Sequence, residues 1–202
     1  MLIFKKNIKP LYFVHIPRTG GRYLRDLFWN NNFLLNFYEY NQHFIDKEIP
    51  HLHYPFYNKF TNYGQIPQFT IIRNPIDRFI SMFYSSIVKD KLCINVDKIF
   101  KNKSNFERFI FEQITQINYC TNWFLPQVNF INSSCKIWKF EDGFGVNFFK
   151  WLKKNFKIKI KNNVFDYQKL NYDFCKKNKL PNNSIDLIKN FYKLDFITFK
   201  YK

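Results

Sequence analysis

Arginine is scarce in this chain, and its positions are clustered. Of the 32 lysine and arginine residues, only six are arginine, at positions 18, 22, 25, 73, 78 and 108. Five of the six lie within residues 15–25 or 73–81. A guanidinium is a planar, forked donor that suits phosphate-like oxyanions better than a lysine ammonium does. The two clusters therefore indicate two anion sites.

The first cluster follows an apolar run and reads His15-Ile-Pro-Arg-Thr-Gly-Gly-Arg22. Two of the chain's five glycines are adjacent here, and glycine allows a tight turn whose N–H groups can face a ligand. Three arginines crowd the start of the helix predicted next, where a bound anion would be stabilised. The Lys-Ser/Thr pair of the common ATP-binding loop is absent, so we expect an anhydride to be handled here without a metal ion.

The second cluster reads Arg73-Asn-Pro-Ile-Asp-Arg-Phe-Ile-Ser81. Asn74 and Pro75 are typical of an N-cap and a first helical residue. We expect Arg73 at the end of a strand and Ser81 two helical turns later, where its hydroxyl could donate to the same oxyanion. Together the two sites suit a ligand that carries charge at two corners of its ribose, as 3′-phosphoadenosine 5′-phosphosulfate does.

Apolar runs and their periodicity predict the elements that position these sites. The expected strands cover about 11–16, 69–72 and 136–140. The expected helices cover about 22–29, 74–88, 104–118, 144–154 and 184–193. This alternation predicts an α/β fold with a central parallel sheet flanked by helices, in one domain spanning 1–202. Ligands of such sheets bind at the carboxyl ends of the strands, where both arginine clusters lie.

Both clusters resemble motifs of the heparan-sulfate-type carbohydrate sulfotransferases. The stretch FVHIPRTGG (13–21) resembles their 5′-phosphosulfate loop, and IIRNPIDRFISMFY (71–84) resembles their 3′-phosphate motif. Weaker similarities to the same family occur at 51–56, 122–127, 137–142 and 191–201. The resemblance implies a P-loop NTPase-like three-layer fold. It also implies transfer of a sulfuryl group from 3′-phosphoadenosine 5′-phosphosulfate to an acceptor hydroxyl, with a carbohydrate as the expected acceptor.

The resemblance also implies roles for individual residues. Arg18 takes the position of the lysine that stabilises the leaving phosphate, and Arg22 takes that of a serine or threonine. Arg73 and Ser81 match the ligands of the 3′-phosphate. The product would be adenosine 3′,5′-bisphosphate, and no metal ion would be required. The donor-binding residues expected on this basis are Arg18, Thr19, Gly20, Gly21, Arg22, Arg73 and Ser81.

An acceptor hydroxyl loses its proton during such a transfer, so a base with a pKa near neutrality is expected. The resemblance of the segment 51–56 selects His53 as that base, beside Arg18 as the second catalytic residue. His51 and a carboxylate from residues 39–48 stay open as alternatives. His15 belongs to an apolar strand, and we expect it to be a packed core residue.

Two other functions remain as alternatives to the sulfotransferase prediction. The net charge of +17 suits any polyanionic partner, so a non-catalytic basic binding protein is one rival. A small-molecule or nucleotide kinase is the other. The chain has no signature of a nucleic-acid-binding module, and we expect no nucleic-acid partner. The oligomeric state stays open.

Cysteine and hydropathy patterns bear on the compartment. The four widely spaced cysteines are expected to be buried free thiols, and no metal-ligand spacing is present. No apolar run approaches a membrane span of about 18 residues, and the first ten residues do not read as a signal peptide. We therefore expect a cytoplasmic protein. Because the resembled enzymes include membrane-anchored Golgi types, the resemblance implies a bacterial or viral origin for a chain without such an anchor.

Overall fold

The computed structural model of this chain describes residues 1–36, 43–44, 47–48, 66–90, 96–115, 123–161, 180–181 and 183–202. Its strands are β1 (Leu2–Lys5), β2 (Ile8–Val14), β3 (Leu34–Asn36), β4 (His43–Phe44), β5 (Lys47–Glu48), β6 (Gln68–Ile72) and β7 (Lys136–Lys139). Its α-helices are α1 (Gly21–Asn30), α2 (Pro75–Asp90), α3 (Val96–Ile99), α4 (Lys103–Thr115), α5 (Val146–Phe156), α6 (Ser184–Phe191) and α7 (Lys193–Phe199). Short 3₁₀ helices cover Gln127–Phe130 and Phe140–Asp142.

The main sheet has five strands in the order β3-β1-β2-β6-β7, and the α/β prediction is confirmed. The prediction of a parallel sheet is correct only for β2, β6 and β7. Strand β1 runs antiparallel to both β2 and β3, so the sheet is mixed. The reason is a two-residue loop between Lys5 and Ile8 that reverses the chain. Asn7 has a φ of 66° there, a left-handed conformation that asparagine tolerates better than most residues.

Alternate residues of a strand face opposite sides of the sheet, and apolar side chains of β2 and β6 are buried on both sides. Phe13, Phe69 and Ile71 face a cluster that includes α1 and α5. Tyr12, Val14 and Ile72 face a cluster that includes Phe130 and residues of α7. A third cluster joins α2 to α4 through the rings of Phe79 and Phe106, and α4 to α6 through the edge-on rings of Phe106 and Phe191. Residues outside the sheet therefore pack against both of its faces in the described part of the chain.

Element boundaries follow the sequence with local shifts. The strand predicted from residue 11 begins three residues earlier and ends at Val14. Asn74 caps α2 as expected, because its Oδ1 accepts from the Ile76 N–H at 2.9 Å. The helix expected over 184–193 is α6, which ends at Phe191, and a further helix that was not predicted, α7, begins at Lys193. Cys135 is buried as expected, and burial raises the pKa of its thiol to about 12. The other three cysteines lie outside the described residues.

The feature that orients the site is the pair of turns after β2 and β6. The two strands are neighbours and run parallel, so their carboxyl ends meet at one edge of the sheet. Strand β2 leads through residues 15–20 into α1, and β6 leads through Arg73 and Asn74 into α2. Each helix therefore begins at the same edge of the sheet.

We expect the packing of α1 on β2 to depend on Gly21. A Cβ at this position would lie 1.8 Å from Nε2 of His15, whose side chain is buried and stacked on Phe13. Gly21→Ala should therefore lower the free energy of unfolding by about 1–3 kcal/mol, as overpacked core positions do. Urea denaturation measures this loss.

Gly145→Ala is the matched control, because a Cβ there meets nothing within 4 Å. Its effect should stay below about 1 kcal/mol, since the residue is only an N-cap glycine on α5. Equal losses in the two variants would show that the contact with His15 does not restrict position 21.

Candidate anion site

The glycine loop, defined here as residues 15–22, has the backbone of an anion cradle. The angle φ is positive at Arg18 (67°) and at Gly20 (99°), on either side of Thr19. Alternating backbone hands turn successive N–H groups toward one concave side, which attracts anions. The loop ends at the N-terminus of α1, whose partial positive charge adds to the effect. Two observations favour glycine at position 20. Its positive φ is a conformation that other residues rarely adopt, and a Cβ there would lie 2.8 Å from the ring of Phe144.

Thr19 shapes this loop from inside. Its side chain is fully buried, and its hydroxyl donates to the carbonyl of Ile16 at 2.8 Å. The side chain is therefore committed to the turn. The structure therefore shows Thr19 as a residue that shapes the loop, and its assignment as a donor-binding residue stays a prediction.

Arg18 and Ser81 join the two predicted sites. The Nε of Arg18 donates to Oγ of Ser81 at 3.0 Å, across 63 residues of sequence. Arg18 is partly buried, and its guanidinium carbon lies 6.0 Å from the centre of the Trp123 ring. A left-handed arginine costs on the order of 1 kcal/mol. Such strain is typical of residues held for a function.

Arg73 approaches the glycine loop from the end of β6. Its Nη1 donates to the backbone carbonyl of Arg18 at 3.3 Å. The residue is buried, with its guanidinium carbon 4.7 Å above the ring of Phe140. Arg18 thus contacts both Ser81 and Arg73, so the two arginine-bearing segments lie close together. They can bind one small anion or two neighbouring anionic groups of a single ligand.

Arg78 belongs to the second cluster but faces inward. It is fully buried and donates to three backbone carbonyls: Nε to Pro17 at 3.1 Å, Nη1 to Leu125 at 3.0 Å and Nη2 to Trp123 at 2.6 Å. Burial lowers its pKa, while Tyr192 and Asp195 raise it. Its role is structural: it fixes the glycine loop and the chain before the first 3₁₀ helix. Clustering of arginine in sequence could not separate this residue from Arg73.

The remaining arginines of the first cluster lie on the outer side of α1. Arg22 is exposed in the first turn of the helix, where an anion at the helix N-terminus could reach it. Arg25 forms an ion pair with the neighbouring Asp26, with Nε and Oδ1 separated by 2.7 Å. Arg25 therefore carries a local counter-charge, and Arg22 is the better candidate for contact with a ligand.

Residues outside the two motifs brace the site, and the motif analysis assigned them no role. The Gln127 amide exchanges two hydrogen bonds with the backbone of Arg73, at 2.9 Å to its N–H and 2.8 Å to its carbonyl. Glu141 accepts from the Asn74 N–H at 2.6 Å and from the Tyr201 hydroxyl at 2.9 Å. The only sequence signals were the weak family similarities at 122–127, 137–142 and 191–201.

Of the histidines given a role by the sequence, the structure describes His15 but not His51 or His53. His15 is buried in the core, as expected. His53, the expected base, and its alternative His51 lie outside the described residues, so their assignment stays a prediction. Within the described part of the chain, no group of three His, Cys, Asp or Glu side chains could hold a metal ion. None of the helices described there is long and apolar enough to cross a membrane.

Comparison of the chain with protein-family models, with curated proteins and with solved structures finds no match. The function is therefore argued from the contacts of the site itself.

Arg78 gives a test of this architecture. Arg78→Met keeps an unbranched apolar chain but leaves the buried carbonyls of Pro17, Trp123 and Leu125 without their donor. Each carbonyl loses a charge-assisted bond, so the free energy of unfolding should fall by at least about 3 kcal/mol. Chemical denaturation followed by circular dichroism measures the change.

The matched control is Arg108→Met, because Arg108 is an exposed arginine on α4. Its effect should stay within about 0.5 kcal/mol, as for most surface substitutions. A loss below about 1 kcal/mol for Arg78→Met would contradict its structural role.

Proposed function

We propose that this protein is a sulfotransferase that transfers a sulfuryl group from 3′-phosphoadenosine 5′-phosphosulfate to an acceptor hydroxyl. The observation that carries the proposal is the contact of Arg18 with Ser81 and with Arg73. Arg18 from the loop before α1 thereby meets Arg73 and Ser81, which lie before and within α2, at one edge of the sheet. A nucleotide with phosphate groups on both sides of its ribose matches this pairing better than a linear triphosphate does.

The residues of the site fit the two ends of such a donor. The glycine loop, with its alternating φ and the N-terminus of α1, suits the 5′-phosphosulfate. Arg18 and Arg22 would neutralise its charge. Arg73 and Ser81 would bind the 3′-phosphate, since one offers a charged fork and the other a hydroxyl. The donor would then replace the bond between Arg18 and Ser81 with bonds of its own.

The transfer itself places few demands on the protein. The acceptor oxygen attacks sulfur, the bond from sulfur to the 5′-phosphate oxygen breaks, and the phosphate leaves with the bonding electrons. Arg18 cannot give up a proton, but a phosphate leaving group needs charge stabilisation rather than protonation. A fixed guanidinium supplies that stabilisation in the transition state.

The proton of the acceptor goes to a base, for which His53 is the proposed residue and His51 or a carboxylate from 39–48 the alternatives. The proposed acceptor is a carbohydrate hydroxyl, and the net charge of +17 would favour an anionic one. The proposed fold is the P-loop NTPase-like variant of the α/β class. Its support is the succession of strand, glycine loop and helix at the edge where β2 and β6 meet.

Nucleotide binding separates this proposal from its rivals. Adenosine 3′,5′-bisphosphate at 100 times its dissociation constant should stabilise the protein by about 2.7 kcal/mol. For a chain of this size that raises the melting temperature by roughly 5–10 °C. ATP with Mg²⁺ at equal concentration should have a smaller effect. A larger shift with ATP and Mg²⁺ would favour a kinase, and no shift with either nucleotide would favour a polyanion-binding protein.

Arg73→Ala tests the assignment of the 3′-phosphate site. The variant should lose most of the shift produced by adenosine 3′,5′-bisphosphate, because a charged fork for the 3′-phosphate is missing. The fold should persist, since Gln127 holds the backbone of residue 73 rather than its side chain. Arg108→Ala, on the exposed face of α4, is the control and should keep the full shift. A full shift in Arg73→Ala would refute the assignment.

His53→Ala tests the proposed base. Because a base acts on the acceptor and not on the donor, the variant should bind adenosine 3′,5′-bisphosphate normally. It should transfer sulfate at least about 10²-fold more slowly than the unmodified protein. Transfer from radiolabelled donor to a panel of glycans measures the rate. Normal turnover would move the role to His51, which the parallel His51→Ala variant checks, or to a carboxylate.

A further inference from the structure

Gln127 closes the end of the parallel ladder. Strands β6 and β7 are paired as far as Ile72 and Lys139, and Arg73 comes directly after. The fully buried Gln127 side chain then takes the place of a neighbouring strand, since it accepts from the N–H and donates to the carbonyl of Arg73. Both backbone polar groups of Arg73, its N–H and its carbonyl, are thereby held by one side chain.

Asp195 of helix α7 holds Gln127 in turn. Its Oδ2 accepts from the backbone N–H of Gln127 at 2.9 Å, and its Oδ1 accepts from that of Val128 at 3.0 Å. The same Oδ2 lies 3.4 Å from the Gln127 amide nitrogen. Asp195 is fully buried, so no water competes for these bonds. The carboxylate thus caps the 3₁₀ helix 127–130 and orients the amide that clamps Arg73.

Burial of Asp195 has an electrostatic reason and a cost. Burial raises its pKa, while Arg78 and the hydrogen bonds from Gln127 and Val128 lower it. The charge of Asp195 in turn raises the pKa of Arg78. The two backbone N–H groups that donate to Asp195 fix the position of its carboxylate. Asp195 on helix α7 is therefore connected to Arg73 through the hydrogen bonds of Gln127.

We infer that Asp195 and Gln127 are positioning residues for the 3′-phosphate site. They set the location of the Arg73 guanidinium, so preference for a 3′-phosphorylated nucleotide depends on α7, 122 residues further along the chain. The inference rests on the proposed function. Its physical basis is the steep angular dependence of charge-assisted hydrogen bonds, which weaken when the donor moves out of line.

The test uses a ratio that general loss of stability does not change. The dissociation constants of adenosine 3′,5′-bisphosphate and of adenosine 5′-monophosphate are measured by calorimetry on the full chain. Their ratio reports the 3′-phosphate interaction alone, because a smaller folded fraction affects both nucleotides equally. Arg73→Ala should reduce this preference by about 10–100-fold.

Asp195→Ala and Gln127→Met should reduce the same preference by roughly 3–10-fold, with little change in binding of the monophosphate. Gln127→Met keeps the length of the side chain and the charge of Asp195, so it decides the question if Asp195→Ala does not fold. In an Arg73→Ala background, Gln127→Met should produce no further loss, because it acts through Arg73. Asp186→Ala is the matched control, since Asp186 is an exposed acid on α6, and its preference should be unchanged.

Two failures are distinguishable. If the unmodified protein shows no preference for the 3′-phosphorylated nucleotide, the proposed function fails and the inference fails with it. If the unmodified protein and Arg73→Ala behave as expected but folded Gln127→Met keeps the full preference, the positioning role is wrong while the proposed function stands. A further loss in the double variant would also overturn it, because it would show an effect that bypasses Arg73.

Discussion

The buried guanidinium of Arg78 is the interaction on which the site depends. It lies on α2, yet its three hydrogen bonds go to the carbonyls of Pro17, Trp123 and Leu125. One side chain thus ties together the glycine loop, the helix after β6 and the chain that leads to Gln127. Removing a guanidinium from water costs several kcal/mol. Three carbonyl acceptors and the nearby Asp195 offset that cost, and no uncharged side chain could satisfy the same three carbonyls.

Two further arginines of the clusters, Arg18 and Arg73, adjoin this frame. The half-buried Arg18 is held by Ser81 and Trp123, and the buried Arg73 by Phe140 and the backbone carbonyl of Arg18. Aromatic faces keep a guanidinium oriented without using its hydrogen-bond donors. Under the proposed function, this positive charge would be ordered before the donor binds, which would reduce the entropy lost on binding.

The C-terminal helices belong to the same frame. Asp195 and Tyr201 reach the two sides of the Arg73–Asn74 step, through Gln127 and through Glu141. Burial and the neighbouring Glu141 raise the pKa of Tyr201, so its hydroxyl stays protonated and donates to that carboxylate. Residues 195–201 thus contact, through Gln127 and Glu141, the backbone of a site whose arginines and serine lie within residues 15–81. Contacts of this range make the site a product of the whole fold.

The sequence by itself determined the local parts: the strand, glycine turn and helix after residue 11, the Asn74 cap, and the burial of His15. These follow from patterns within about twenty residues, where chain connectivity limits the alternatives. It also placed Arg18, Arg73 and Ser81 in two segments that meet in space. Only the tertiary structure decided that Arg78 turns inward, that β1 reverses the sheet, and that Gln127 and Asp195 brace Arg73. The contacts of Arg78, Gln127 and Asp195 join residues 45 to 68 positions apart, and residue types alone do not encode which partner a buried charge will find.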